Sequence, residues 1–192
     1  MPPYLTEEER AELLAIARRA ASSFVREGKM PEEAPASPRL SAPGAAFVTL
    51  TEEGSLRGCI GYTEPAAPLY RTVQECAVAA ATEDPRFPAV EPSEVDSVRI
   101  EISVLTPLVP VRPEAIEVGV HGLMVRKGRR RGLLLPQVPE EFGWDRRAFL
   151  SNVCRKAGLP PDEWTKGAEL YSFTAEVFGE PPRKSPSPST SP

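Results

Sequence analysis

Ala45-Ala46-Phe47-Val48-Thr49-Leu50, Thr51-Glu52-Glu53-Gly54 and Ser55-Leu56-Arg57-Gly58-Cys59-Ile60-Gly61-Tyr62 read in order as an extended run, a turn and a returning run. Val, Thr, Phe, Ile and Tyr suit a pleated surface, and the glycine permits a tight reversal. The segment is therefore expected to be a β-hairpin, and the rest of the chain is read outward from it.

Upstream, Thr6-Glu7-Glu8-Glu9 has the form of a capping box, in which hydroxyl and carboxylate satisfy each other's amides at a helix start. Leu13, Ala17, Ala20 and Phe24 then recur at helical spacing and Gly28 is placed to end the helix. Four prolines between Pro31 and Gly44 describe an extended surface loop. Downstream, Pro65 and Pro68 suit the first turn of a second helix with Leu69, Val73, Cys76, Ala77 and Ala80 inward, stopped by Asp84-Pro85. Val98, Ile100, Ile102 and Val104 alternate with Arg99, Glu101 and Ser103 as a strand. Leu123 to Arg126 and Gly132 to Leu135 flank the basic turn 127–131, and Asp145 caps a third helix carrying Phe149, Leu150, Val153 and Cys154, closed by Gly158. Tyr171, Phe173, Ala175 and Val177 alternate along one last strand. The domain is expected over residues 5–178, and 179–192 as a disordered Pro/Ser-rich tail. Helices scattered among hairpins point to an α+β fold, an antiparallel or mixed sheet covered by helices.

The net charge of −4 provides no global field for nucleic acid or an anionic membrane. No apolar run approaches the roughly 18 residues of a membrane span, and three cysteines without a CxxC pair or a histidine at ligand spacing argue against a disulfide framework or a metal site. A cytoplasmic protein with reduced thiols is expected. One Asn and two Gln in 192 residues would suit life at high temperature, while a GC-rich genome explains the 18 Arg against 5 Lys equally well. Walker, GxGxxG, GxSxG and HExxH motifs are absent, so no cofactor is named.

The second strand of the hairpin carries the chemistry. Arg57, Cys59 and Gly61 share one face, where a guanidinium would favour the thiolate. Gly58 and Gly61 leave backbone open to a ligand, as substrate-binding positions, or to another segment of chain. His121 is the only histidine and the natural base for a thiol, giving a Cys59–His121 pair as the sharpest enzymatic reading, with Asp84 as a further catalytic carboxylate and Arg57 and Arg86 as substrate contacts. Against this stand Cys59 as a small buried hydrophobe, His121 as a loop cap and Asp84–Arg86 as a structural brace. The basic turn 126–131 is either a phosphate contact or a solvated hairpin tip.

Leu56-Arg57-Gly58-Cys59-Ile60-Gly61 resembles the signature of the AMMECR1-like family. Ser37-Pro38-Arg39-Leu40, Glu83-Asp84-Pro85-Arg86-Phe87-Pro88, Ile102-Ser103-Val104-Leu105-Thr106-Pro107, His121-Gly122-Leu123 and Gly132 to Val138 are similar to its other blocks, in order. The resemblance implies two unequal lobes with a cleft near the signature, association with radical-SAM and Memo-family proteins, and a role in modifying RNA or a small molecule. It carries over no catalytic residue. Two readings follow: a modification enzyme, or its substrate-binding component, whose cleft contains Arg57, Cys59, Asp84 and His121, and a non-catalytic interaction module in which Cys59 is structural.

Overall fold

The computed structural model describes residues 4–32 and 34–181. In chain order it runs α1 (Glu7–Glu27), α2 (Pro38–Ser41), β1 (Ala45–Glu52), β2 (Ser55–Tyr62), α3 (Leu69–Thr82), β3 (Arg99–Leu105), β4 (Val109–Pro110), β5 (Gly122–Lys127), β6 (Arg130–Leu134), α4 (Val138–Glu141), α5 (Arg146–Lys156), β7 (Glu169–Phe173) and β8 (Ala175–Gly179). The strands form two antiparallel four-stranded sheets, ordered β2-β1-β3-β8 and β4-β7-β5-β6. The fold is α+β.

The first sheet belongs to the larger lobe. Ala46, Val48, Leu50, Ile100, Ile102 and Val104 share a core with Leu13, Ala17 and Ala21 of α1 and Val73, Cys76, Ala77 and Ala80 of α3. Period-2 alternation in the strands meets period-3.6 stripes in the helices, so burial on one sheet face decides the register. At the start of α1 the Thr6 hydroxyl accepts from the Glu9 amide and the Glu9 carboxylate from the Thr6 amide, and Gly28 ends the helix at φ 68°. The smaller lobe packs α5, through Phe149, Leu150, Val153 and Cys154, against Leu123 and Val125 of the second sheet. Between the lobes Ala45, Leu105 and Phe173 make a third cluster with Phe47, Leu133 and Leu135.

Several expectations are corrected. The run 171–177 is two strands in two sheets, broken at Thr174, whose amide donates to the Thr106 hydroxyl while the Thr106 amide donates to its carbonyl. The hydrophobic alternation continues across that break, so nothing local marks it. Val177 ends up 55% exposed. The loop 31–44 contains the short helix α2, capped by the Ser37 hydroxyl on the Arg39 amide. Pro65 precedes α3 instead of entering its first turn, and Pro68 takes the N-cap position. The hairpin turn narrows to Glu53-Gly54, both with positive φ. In the second hairpin, Lys127, Arg130 and Arg131 are strand residues. Gly179, expected in the tail, pairs with Glu101, and the Glu180 amide donates to the Ile100 carbonyl. The tail from 182 onward lies outside the described residues.

Candidate functional site

β2 is the outer strand of its sheet, so every second residue turns its amide and carbonyl away from β1. At Cys59 both groups are met by side chains. The Cys59 amide donates to Asp84 Oδ2 at 2.8 Å, and the Arg86 guanidinium donates to the Cys59 carbonyl at 3.3 Å. Asp84 and Arg86 are themselves joined by two parallel bonds, Nε to Oδ1 at 2.9 Å and Nη2 to Oδ2 at 2.7 Å. The pair thus supplies the acceptor and donor that a further strand would supply, and Pro85 between them restricts the loop. Hydrogen bonding from Arg86, and from the Cys59 amide, holds the Asp84 carboxyl well below the usual carboxylate range.

Arg57 sits where the β1–β2 register shifts, a bulge that turns its side chain toward the chain beyond α3. It pairs with Glu94 at 3.0 Å and donates to the Pro88 carbonyl at 2.7 Å and the Ala89 carbonyl at 3.3 Å. The space over each signature glycine is filled by the protein itself. A Cβ on Gly58 would overlap the Ala80 carbonyl of α3, and one on Gly61 would overlap the Phe47 ring.

The Cys59 thiol faces away from the helices, half-buried, and accepts from the Thr49 hydroxyl at 3.3 Å. Cys76 and Cys154 are buried; desolvation pushes the Cys76 thiol up to about 12 and the Cys154 thiol upward as well. Iodoacetamide at neutral pH is therefore expected to modify Cys59 first, the other two reacting only on unfolding, as mass mapping of a native time course will show. Equal labelling of Cys76 would contradict that burial order.

His121 belongs to the other lobe, at the entry to β5, where its Nδ1 accepts from the Glu117 amide at 3.0 Å. Among the described residues no hydrogen bond joins it to Cys59. The fold therefore brings together Cys59, Asp84 and Arg86, seams Arg57 to the following loop, and keeps His121 apart.

Asp84→Asn tests the clamp. A carboxyl depressed on folding contributes stability that is fully present above its unfolded pKa of about 3.9 and is lost as pH falls through the lower folded value. The variant should melt below wild type at pH 7, and the gap should narrow on acidification below about pH 4. A gap independent of pH would remove the ionised clamp from the account.

Beyond Gly61 and Phe47 an open cleft of about 660 Å3 runs between the lobes. Its floor is apolar, with Phe47, Leu108, Met124, Leu133 and Leu135; Lys156 and the Arg131–Glu64 pair, at 2.8 Å, stand among its lining residues. Leu108 is 40% exposed there. The resemblance implied a cleft near the signature containing Arg57, Cys59, Asp84 and His121, whereas none of these four is among the lining residues of this one. Its one local signal is the run Leu133-Leu134-Leu135, which places apolar side chains on both faces of β6 where a one-sided sheet needs only one. Among the described residues no group of His, Cys, Asp and Glu is arranged to hold a metal ion, and no helix is long and apolar enough to cross a membrane.

A model of the AMMECR1 family matches residues 14–178. The chain is 49% identical to Protein MK0488 of Methanopyrus kandleri, over 92% of this chain and 90% of that one, and 46% identical to a protein of Methanothermobacter thermautotrophicus, over 92% and 96%. The crystal structure of Uncharacterized Protein PH0010 from Pyrococcus horikoshii superposes with a TM-score of 0.69 at 44% identity, covering 88% of this chain and 90% of that chain.

Proposed function

The chain belongs to the AMMECR1 family, and from that premise we propose that it is the substrate-binding component of a modification system, with the interlobe cleft as its binding site. The observation that carries the reading is the cleft itself. Its volume falls within the roughly 300–1,000 Å3 of small-ligand sites, and an apolar floor with few polar groups is the usual composition of such sites. Lys156, without a carboxylate partner among the described residues, suits a ligand with an apolar or planar body and one anionic group, while Arg131 lines the cleft already paired with Glu64. The signature serves this site from behind, because Gly61 admits the Phe47 ring that forms part of the floor.

Arg57, Asp84 and Arg86 act in this reading as supports of the β2 edge, since each is committed to main-chain or carboxylate partners. The reaction is left to a partner, for which radical-SAM and Memo-family proteins are the proposed candidates, acting on RNA or a small molecule in the cytoplasm. We read the amide-poor composition as heat adaptation, which a melting temperature below about 60 °C would contradict.

Native mass spectrometry of protein purified from its own source tests the binding role. A bound species is expected, lost when Leu108→Asp and Lys156→Glu are combined. A mass equal to the bare chain, or a species retained by the variant, would overturn the proposal.

A further inference from the structure

The smaller lobe differs in charge from the rest of the chain: residues 109–174 hold eleven Lys and Arg against eight Asp and Glu in a protein whose total is −4. Part of the excess lines two hollows. Arg147 and Arg155 lie two turns apart on α5, about 12 Å along the axis. Both line an open groove of about 810 Å3 together with Trp164. Around the Pro160-Pro161 turn, Arg129 and Arg130 line an adjoining hollow of about 430 Å3. The two regions are joined physically, since Arg130 donates to the Gly158 carbonyl just past α5 at 2.8 Å, and Gly132 of β6 lies against the backbone of Val153 to Ala157.

These four arginines have no carboxylate partner among the described residues: Arg155 bonds only the Asn152 amide oxygen, and Arg130 the carbonyl just named. Nearby acids are largely accounted for. Asp162 pairs with Lys166, Glu163 with Lys127, and Asp145 caps the Ala148 amide, leaving Glu114 at the far end. Trp164 packs part of its ring on the small-lobe core and leaves part at the groove. A half-exposed aromatic beside a track of uncompensated guanidinium groups is the arrangement that holds a single strand, phosphates on the cations and a base on the ring.

We propose that the α5 groove and the β5–β6 hairpin tip bind a single-stranded nucleic acid through Arg147, Arg155, Arg130, Arg129 and Trp164. This surface does not depend on the interlobe cleft, and either assignment can fail without the other.

Fluorescence anisotropy with labelled RNA and DNA strands of about twelve nucleotides, a length within known single-strand site sizes, tests it. Saturable binding is expected at about 50 mM salt, with a log–log salt slope near −3 if all four arginines meet phosphates. Arg147→Glu combined with Arg155→Glu should weaken binding at least about tenfold and flatten the slope, because two phosphate contacts become repulsions. Trp164→Leu should weaken it about tenfold while leaving the slope unchanged, the signature of lost stacking. The charge-reversed positions are exposed, so an unchanged thermal melt is the folding control. Preference for RNA would assign the 2′-hydroxyl a part in recognition, and equal binding would confine it to phosphate and base; either supports the proposal. No binding at about 100 µM protein, the weak limit for non-specific contacts, would overturn it. So would indifference to the charge reversal, or capture by anionic phospholipid vesicles without capture by oligonucleotide.

Discussion

Gly58→Ala is expected to lower stability by about 3 kcal/mol, the upper part of the usual overpacking range. The added methyl would overlap the Ala80 carbonyl oxygen and press on the carbonyl carbon behind it at 3.1 Å. Those are main-chain atoms of α3, held by the helix and by a core that includes Val73, Cys76 and Ala77, so no rotamer change can make room. At roughly 2–4 °C per kcal/mol for a chain of this size, the melting temperature should fall by about 6–12 °C. Gly61→Ala provides the contrast. Its methyl would meet the Phe47 side chain and, at 2.7 Å, the Ala46 carbonyl oxygen; because the closest atoms belong to a side chain that can shift as a whole, the loss of stability should be smaller while the cleft floor is disturbed. Differential scanning calorimetry on both variants checks the order, and a Gly58→Ala protein as stable as wild type would mean that α3 does not need this close approach.

Gly132→Ala should cost about 2–3 kcal/mol, because the smaller lobe repeats the device. A methyl there would come within 2.5 Å of the Ala157 amide nitrogen, 2.8 Å of the Lys156 carbonyl carbon and 2.9 Å of the Val153 carbonyl oxygen, all backbone of the last turn of α5. The helix would have to lift from β6. Lys156 would move with it, so weaker ligand binding in the cleft should accompany the lower melting temperature. Urea denaturation followed at Trp164, in a protein whose other tryptophan is replaced by Trp144→Phe, reads the smaller lobe separately. An unchanged midpoint would show that α5 tolerates the methyl.

Local patterns carried much of the fold. The hairpin 45–62, the capping box at Thr6, the strand through Ile100 and Ile102 and the Asp145 cap stand where their side-chain chemistry places them. Each depends on residues within one turn or one strand pair, the range over which sequence patterns speak directly. The break at Thr174 depends on Thr106, which is 68 residues away, and so leaves no local mark. The site divided in the same way. That Asp84 and Arg86 would brace each other was readable two positions apart; that the brace would close the edge of β2 at Cys59 was not, since it spans 25 residues to the Cys59 amide. His121 could be singled out by type, but its place in the other lobe follows from the pairing of β5 with β6 and β7. A cleft near the signature was implied by the resemblance, but its lining was hidden for the same reason, because it is drawn from β1, β5, β6, α4, α5 and the intervening loops.

The interlobe cleft is most directly tested by titrating the protein with 1-anilinonaphthalene-8-sulfonate, an aromatic body with one anionic group. One saturable site is expected, and combining Leu108→Asp with Lys156→Glu should raise its dissociation constant at least about tenfold, equivalent to about 1.4 kcal/mol. Both positions are surface-exposed, so the fold should melt as wild type does. The same dissociation constant in variant and wild type would contradict the cleft as the ligand site.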